Sequence, residues 1–110
     1  MLSIVVPVFN EEDNLSIFNK RLIAVCRKIK KKFEVIYIDD GSKDKSLDLI
    51  KKFSKENKNI HYISLFRNFG QHAAIMAGLK LSKGKFIITL DSDLQNPPEE
   101  IIKFVKYLEK

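Results

Sequence analysis

Apolar residues follow two rhythms along the chain. Four short runs, Ser3 to Phe9, Phe33 to Ile38, Ile60 to Phe66 and Lys85 to Leu90, are dense in β-branched and aromatic residues and predict buried strands. Between them apolar residues recur every three or four positions, as in Leu15, Phe18, Leu22, Cys26 and Ile29, or Leu47, Ile50 and Phe53, which is the period of a helix with one buried face. A third such segment, about His72 to Leu81, is apolar nearly all round and predicts the most buried helix. A fourth begins at Asn96-Pro97-Pro98-Glu99, where Asn would cap, Pro suits the first helical position, and Glu99 and Glu100 suit the positive end of the helix dipole. Its apolar stripe is Ile101, Phe104, Val105 and Leu108. Strict alternation of continuously apolar strands with helices predicts an α/β fold: a mostly parallel, Rossmann-like sheet of four strands with helices on both faces.

Composition adds limits to this picture. With 110 residues, 45% of them hydrophobic, one modest core is expected. The net charge of +6 suits an anionic partner such as phosphates, nucleic acid or a membrane surface. Much of that charge lies in the run Arg27, Lys28, Lys30, Lys31, Lys32, broken only by Ile29, which reads as a solvated face. The single cysteine, Cys26, allows no internal disulfide and fits a reducing cytoplasm. The first apolar run is too short for a signal peptide, and no later one reaches the length of a bilayer span. The chain therefore reads as soluble or peripheral. It stops at Lys110 without a terminating Gly or a further strand, which reads as part of a longer domain.

In an open parallel sheet, ligands bind at the carboxyl ends of the strands, so the residues following each strand carry the candidate chemistry. These are Pro7-Val8-Phe9-Asn10-Glu11-Glu12, Asp39-Asp40-Gly41-Ser42, Arg67-Asn68-Phe69-Gly70 and Asp91-Ser92-Asp93-Leu94-Gln95. Asp-Gly-Ser suits a turn in which Ser42 caps the next helix. Two adjacent acids, Asp39 and Asp40, raise each other's cost unless donors meet them, and the N-H and ribose hydroxyl groups of a nucleoside would do so. Asp91 and Asp93 offer oxygen-only ligands at alternate positions after an apolar strand, which suits Mg2+ or Mn2+ bridging to a diphosphate. The chain has no zinc-spaced His or Cys cluster, no Gly-x-Gly-x-x-Gly, no phosphate-binding Gly-Lys-Ser/Thr loop and no nucleophile elbow. His61 and His72 stand beside no nucleophile and read as structural or surface residues.

Taken together, Pro7-Val8-Phe9-Asn10-Glu11, Ile38-Asp39-Asp40-Gly41-Ser42, Arg67-Asn68-Phe69-Gly70 with Ala73-Ala74 and Ala77-Gly78-Leu79, and Asp91-Ser92-Asp93-Leu94-Gln95 with Pro97-Pro98-Glu99 resemble family 2 glycosyltransferases of the GT-A fold. The Arg-Asn-Phe-Gly and Asp-x-Asp-Leu-Gln-x-Pro-Pro-Glu motifs look like the branch of dolichyl- and polyprenyl-phosphate glycosyltransferases. The resemblance covers residues 1–110 and only the amino-terminal part of such enzymes. It implies that Pro7, Phe9 and Glu11 line a nucleoside pocket, that Ile38, Asp39 and Asp40 read base and ribose, and that Asp91 and Ser92 also touch the nucleotide. It further implies that Asp91, Asp93 and Gln95 hold metal and diphosphate, with Asp91 and Asp93 as the catalytic pair. The implied reaction is metal-assisted inverting transfer from a UDP- or GDP-linked sugar to a polyprenyl phosphate at the cytoplasmic membrane face. A soluble glycan or protein acceptor, or a noncatalytic nucleotide-binding module, are the alternatives. Nucleic acid is disfavoured as a partner by the acids at the crevice, and an uncovered strand edge or apolar face would favour self-association.

Overall fold

The computed structural model describes residues 1–108, so positions 109 and 110 of the domain read above lie outside it. Strands and helices alternate as β1 (Leu2–Val8), α1 (Glu12–Ile29), β2 (Phe33–Asp39), α2 (Ser46–Glu56), β3 (Ile60–Ser64), α3 (Gln71–Leu81), β4 (Phe86–Thr89) and α4 (Glu100–Leu108). All four strands are parallel, in the order β3-β2-β1-β4. The chain winds outward from β1 to β3, then returns past β1 to place β4 on its other side. That reversal puts the end of β1 at the topological switch point, where open parallel sheets hold their ligands.

The two faces are covered unequally. Ile4, Val6, Val8, Val35 and Tyr37 point to one face, where Leu15, Phe18 and Leu22 of α1, Ile50 and Phe53 of α2, and Ile101 and Val105 of α4 close the main core. Tyr37 is fully buried and edge-on to Phe18, with its hydroxyl donating to Asn19 Oδ1 at 2.7 Å. Burial pushes the phenol well above its ordinary pKa, and it raises the thiol of buried Cys26 to about 12. The opposite face carries a smaller cluster of Val5, Ile36, Ile38 and Ala74, covered by α3 alone among the helices of the described residues.

Two expectations about helices are corrected. The third helix is not the most buried: only Ala74 and Gly78 of α3 are buried, and Met76 and Leu81 remain 43% and 42% exposed. Its all-round apolarity misleads because α3 lies alone on its face of the sheet, so no second helix covers its outer side among the described residues. Asn96 does not cap the fourth helix either. α4 begins at Glu100, and the carbonyls of Pro97 and Pro98 accept the first amide bonds at 3.0 and 3.1 Å. The two prolines thus form an entry turn, as the extended bias of a residue before Pro favours.

At the amino ends of the strands, buried Glu34 accepts the hydroxyl of Ser3 at 2.5 Å and the Lys83 amide at 2.7 Å. Ser3 Oγ accepts the Gly84 amide at 2.7 Å, which ties the turn before β4 to β1 and β2.

Candidate functional site

The loops after β1 and β2 are zipped together by side chains that accept backbone amides. Asn10 N-H donates to Ser42 Oγ at 2.9 Å, Glu11 N-H to Ser46 Oγ at 2.9 Å, and Glu12 N-H to Asp44 Oδ2 at 3.1 Å. The amides at the start of α1 are therefore satisfied by the neighbouring loop instead of a cap of their own. This corrects the reading of Ser42, which serves Asn10 and does not cap α2. Asp44 meets the amide of Ser46 at 2.9 Å instead.

Asp39 and Asp40 part company. Asp40 is buried and turns toward the loop after β3, where its carboxylate accepts the Phe69 amide at 2.8 Å, the Gly70 amide at 3.1 Å and Asn68 Nδ2 at 3.3 Å. The donors that relieve its charge are thus supplied by the protein. Asp39 is buried too, and its Oδ2 accepts the Ser42 amide at 3.3 Å, but its Oδ1 has no hydrogen-bond partner among the described residues. A buried carboxylate oxygen left without a donor is costly unless something else arrives to meet it. Beside it lies a cavity of about 610 Å³ lined by Phe9, Ser42, Leu47, Arg67 and Asn68, among others. Gly41 lets these loops meet, because its φ is +71° and a Cβ there would lie 2.3 Å from the backbone of Arg67.

Phe9 and Asn68 also border a second cavity, of about 350 Å³, lined by Pro7, Phe9, Glu11, Asp40, Asn68, Gly70, Gln71, Asp91, Ser92 and Asp93. The carboxyl ends of β1, β2 and β4 and the loop after β3 all converge there. Asp91 Oδ1 accepts Gln71 Nε2 at 3.0 Å, and Asp93 Oδ1 accepts the Gln95 amide at 3.0 Å. No described residue donates to the second oxygen of either acid. Leu94, between them and Gln95, holds a left-handed φ of +67° while its side chain packs on the main core. That partly buried anchor offsets the strain of a non-glycine residue in this region. No three acidic, His or Cys side chains gather as a complete metal cage among the described residues. Two carboxylates, each with a free oxygen, could meet a hard cation that keeps waters and takes phosphate oxygens.

Two of the expected site residues stand apart from the cavities. The side chain of Ile38 is fully buried against α3, because its position in β2 points to that face. Gln95 lies exposed outside both cavities, and its backbone amide, not its side chain, serves the acid cluster.

The model of "Glycosyl transferase family 2" matches residues 3–110. The chain belongs to this family. It is 50% identical over 107 residues to an undecaprenyl-phosphate 4-deoxy-4-formamido-L-arabinose transferase of Pectobacterium atrosepticum, covering 96% of this chain and 33% of that protein. Among solved structures it resembles S. aureus TarS 1-349 in complex with UDP-GlcNAc, with a TM-score of 0.72 and 26% identity over 96% of this chain and 30% of that one. It also resembles the mannosyltransferase PcManGT of Pyrobaculum calidifontis in complex with GDP-Man and Mn2+, with a TM-score of 0.78, 18% identity, and coverage of 99% of this chain and 32% of that one. The four-stranded parallel sheet and its helices share the fold of GT-A glycosyltransferases. The chain spans about a third of the length of the curated relatives it matches.

Within this family 2 site, sequence reasoning missed Gln71 and gave no role to Asn68 or Gly70. The available signal was a polar residue at the first position of an otherwise apolar helix, directly after the Arg-Asn-Phe-Gly motif.

Proposed function

We propose that this chain is the donor-binding part of an enzyme that moves a sugar from a nucleoside-diphosphate sugar to a polyprenyl phosphate at the cytoplasmic face of a membrane. The observation that carries the reading is the partnerless, buried Asp39 Oδ1, in a residue that borders one cavity, which shares Phe9 and Asn68 with the cavity lined by Asp91 and Asp93. A nucleoside offers what that oxygen lacks, an N-H or ribose hydroxyl, and a flat ring to lie against half-exposed Phe9. The adjoining cavity then receives the diphosphate and sugar.

Asp91 and Asp93 would hold Mg2+ or Mn2+ there. When bound, such an ion offsets the charge that builds on the departing nucleoside diphosphate. The chain's own contribution is orientation. Asp39 and Phe9 fix the nucleoside, and the loop held by Asp40 shapes the wall beside the acids. An acceptor that is already a phosphate monoester anion needs no strong general base, in keeping with exposed His61 and His72 lining neither cavity. The polyprenyl-phosphate acceptor is supported by the name of the Pectobacterium relative. No helix among the described residues is long and apolar enough to cross a membrane.

Calorimetric titration of UDP and GDP, with and without Mn2+, into the wild type and Asp93→Ala tests the donor site. One nucleotide should bind more tightly with Mn2+, and Asp93→Ala should weaken that metal-dependent part by about tenfold or more. Metal-independent binding that ignores the substitution overturns the assignment.

A further inference from the structure

We infer that Gln71 is a positioning residue that aims Asp91 for cation binding, and that Asp40 acts on the same cation site through it. This rests on the donor-site reading above.

The chain of contacts is continuous. Asp40, at the end of β2, grips the amides of Phe69 and Gly70 at 2.8 and 3.1 Å. Gly70 is the residue before α3, with φ +101°, and its carbonyl accepts the Ala74 amide at 3.1 Å, so the grip sets where the helix starts. Gln71 is the first residue of that helix, and its Nε2 reaches across to Asp91 Oδ1 at 3.0 Å. Gln71 and Asp91 border both the diphosphate cavity and a neighbouring one that runs past Ile75 and Phe104.

The division of labour follows from the valences. A side-chain amide donates to one oxygen of Asp91 and leaves the other free, which fixes the carboxylate plane while sparing a ligand atom. Asp93 is treated likewise by a backbone amide, that of Gln95 at 3.0 Å. Asp91 alone depends on a side chain from another element. Because Gln71 is itself exposed, its loss removes no core packing, and its effect on the cation can be separated from its effect on stability.

Groups that orient metal ligands are worth about 10- to 100-fold in metal affinity. Gln71→Met keeps the length of the side chain and removes the donor. Titration of Mn2+ in the presence of saturating nucleotide, followed by the electron paramagnetic resonance of the free ion, should give about tenfold weaker binding for Gln71→Met. Its thermal midpoint should stay within about 2 °C of the wild type, as for other exposed substitutions. Asp40→Asn, which keeps one acceptor oxygen and loses the other, should weaken Mn2+ binding as well while also lowering the midpoint. Wild-type affinity in Gln71→Met overturns this inference alone. A wild type that binds no Mn2+ overturns the donor-site reading and this inference with it.

Discussion

Asp39 and Asp40 are neighbours in sequence and opposites in situation. Asp40 has three donors from the loop after β3, whereas Asp39 keeps a buried oxygen with none. Asp40→Ala strands those donors and should cost about 2 to 4 kcal/mol in urea denaturation. Asp39→Ala should cost less, because it removes an unmet buried acceptor, yet it should abolish more of the nucleotide affinity. The two substitutions therefore rank oppositely in the two measurements, and an identical ranking would refute the assignment of roles. Both acids stood out in the sequence as a pair needing donors. Which of them the protein itself would satisfy was not legible, because the donors are two backbone amides and the Asn68 side chain, about thirty residues away, whose position depends on the folded loop. The side chain of Ile38 lies away from the cavities for a simpler reason. Alternation along a strand sends every second side chain to the far face, and a run buried on both sides hides which face is which.

At the scale of elements, the alternation of strands and helices was legible because each kind has its own apolar period. What the period could not convey was the company each helix keeps. α3 meets the sheet through Gly78, where a Cβ would lie 2.5 Å from Val5 and 2.7 Å from Ile38. Gly78→Ala should therefore destabilise the fold by about 1 to 3 kcal/mol through overpacking, against the usual gain of Ala over Gly in a helix, as thermal denaturation would show. α4 is tied to α1 by a two-point bond from Arg21 to Glu99, which sits in the turn that enters α4. The hydrogen bond from Arg21 holds the Glu99 carboxyl below its ordinary range. A depressed carboxyl stabilises the folded state above the ordinary glutamate range and loses that contribution as pH falls through its folded value. The gap in thermal midpoint between wild type and Glu99→Gln should thus be small at pH 7, since both partners are exposed, and close in acid.

For the whole molecule, the uneven cover of the sheet is the main fact. Among the described residues three helices close one face and one helix the other, and the edge strand β4 has a neighbour on one side only. Met76, Leu81, Ile87 and Phe104 are left exposed in consequence. An open strand edge flanked by apolar side chains favours association. Light scattering should therefore show a mass that rises with concentration, and the pair Met76→Lys and Ile87→Lys should suppress it. A monodisperse monomer at all concentrations would contradict this expectation. The sequence pointed to such a surface, but only strand order shows that β4 lies at an edge.

Strand order also carries a timetable. β1 leaves the ribosome first, and its partner on one side, paired from Leu2 to Phe33, follows soon after. Its partner on the other side pairs Leu2 with Phe86. At about 5 to 20 residues per second, the interval between those two arrivals is roughly 3 to 10 seconds. For that time β1 has one bare edge, and the nascent chain is a hairpin-less partial sheet that a chaperone or a second nascent chain could engage. Asp91 and Asp93 directly follow β4, so of these four strands it is the last to emerge that both covers β1 and brings the acids to the ligand mouth.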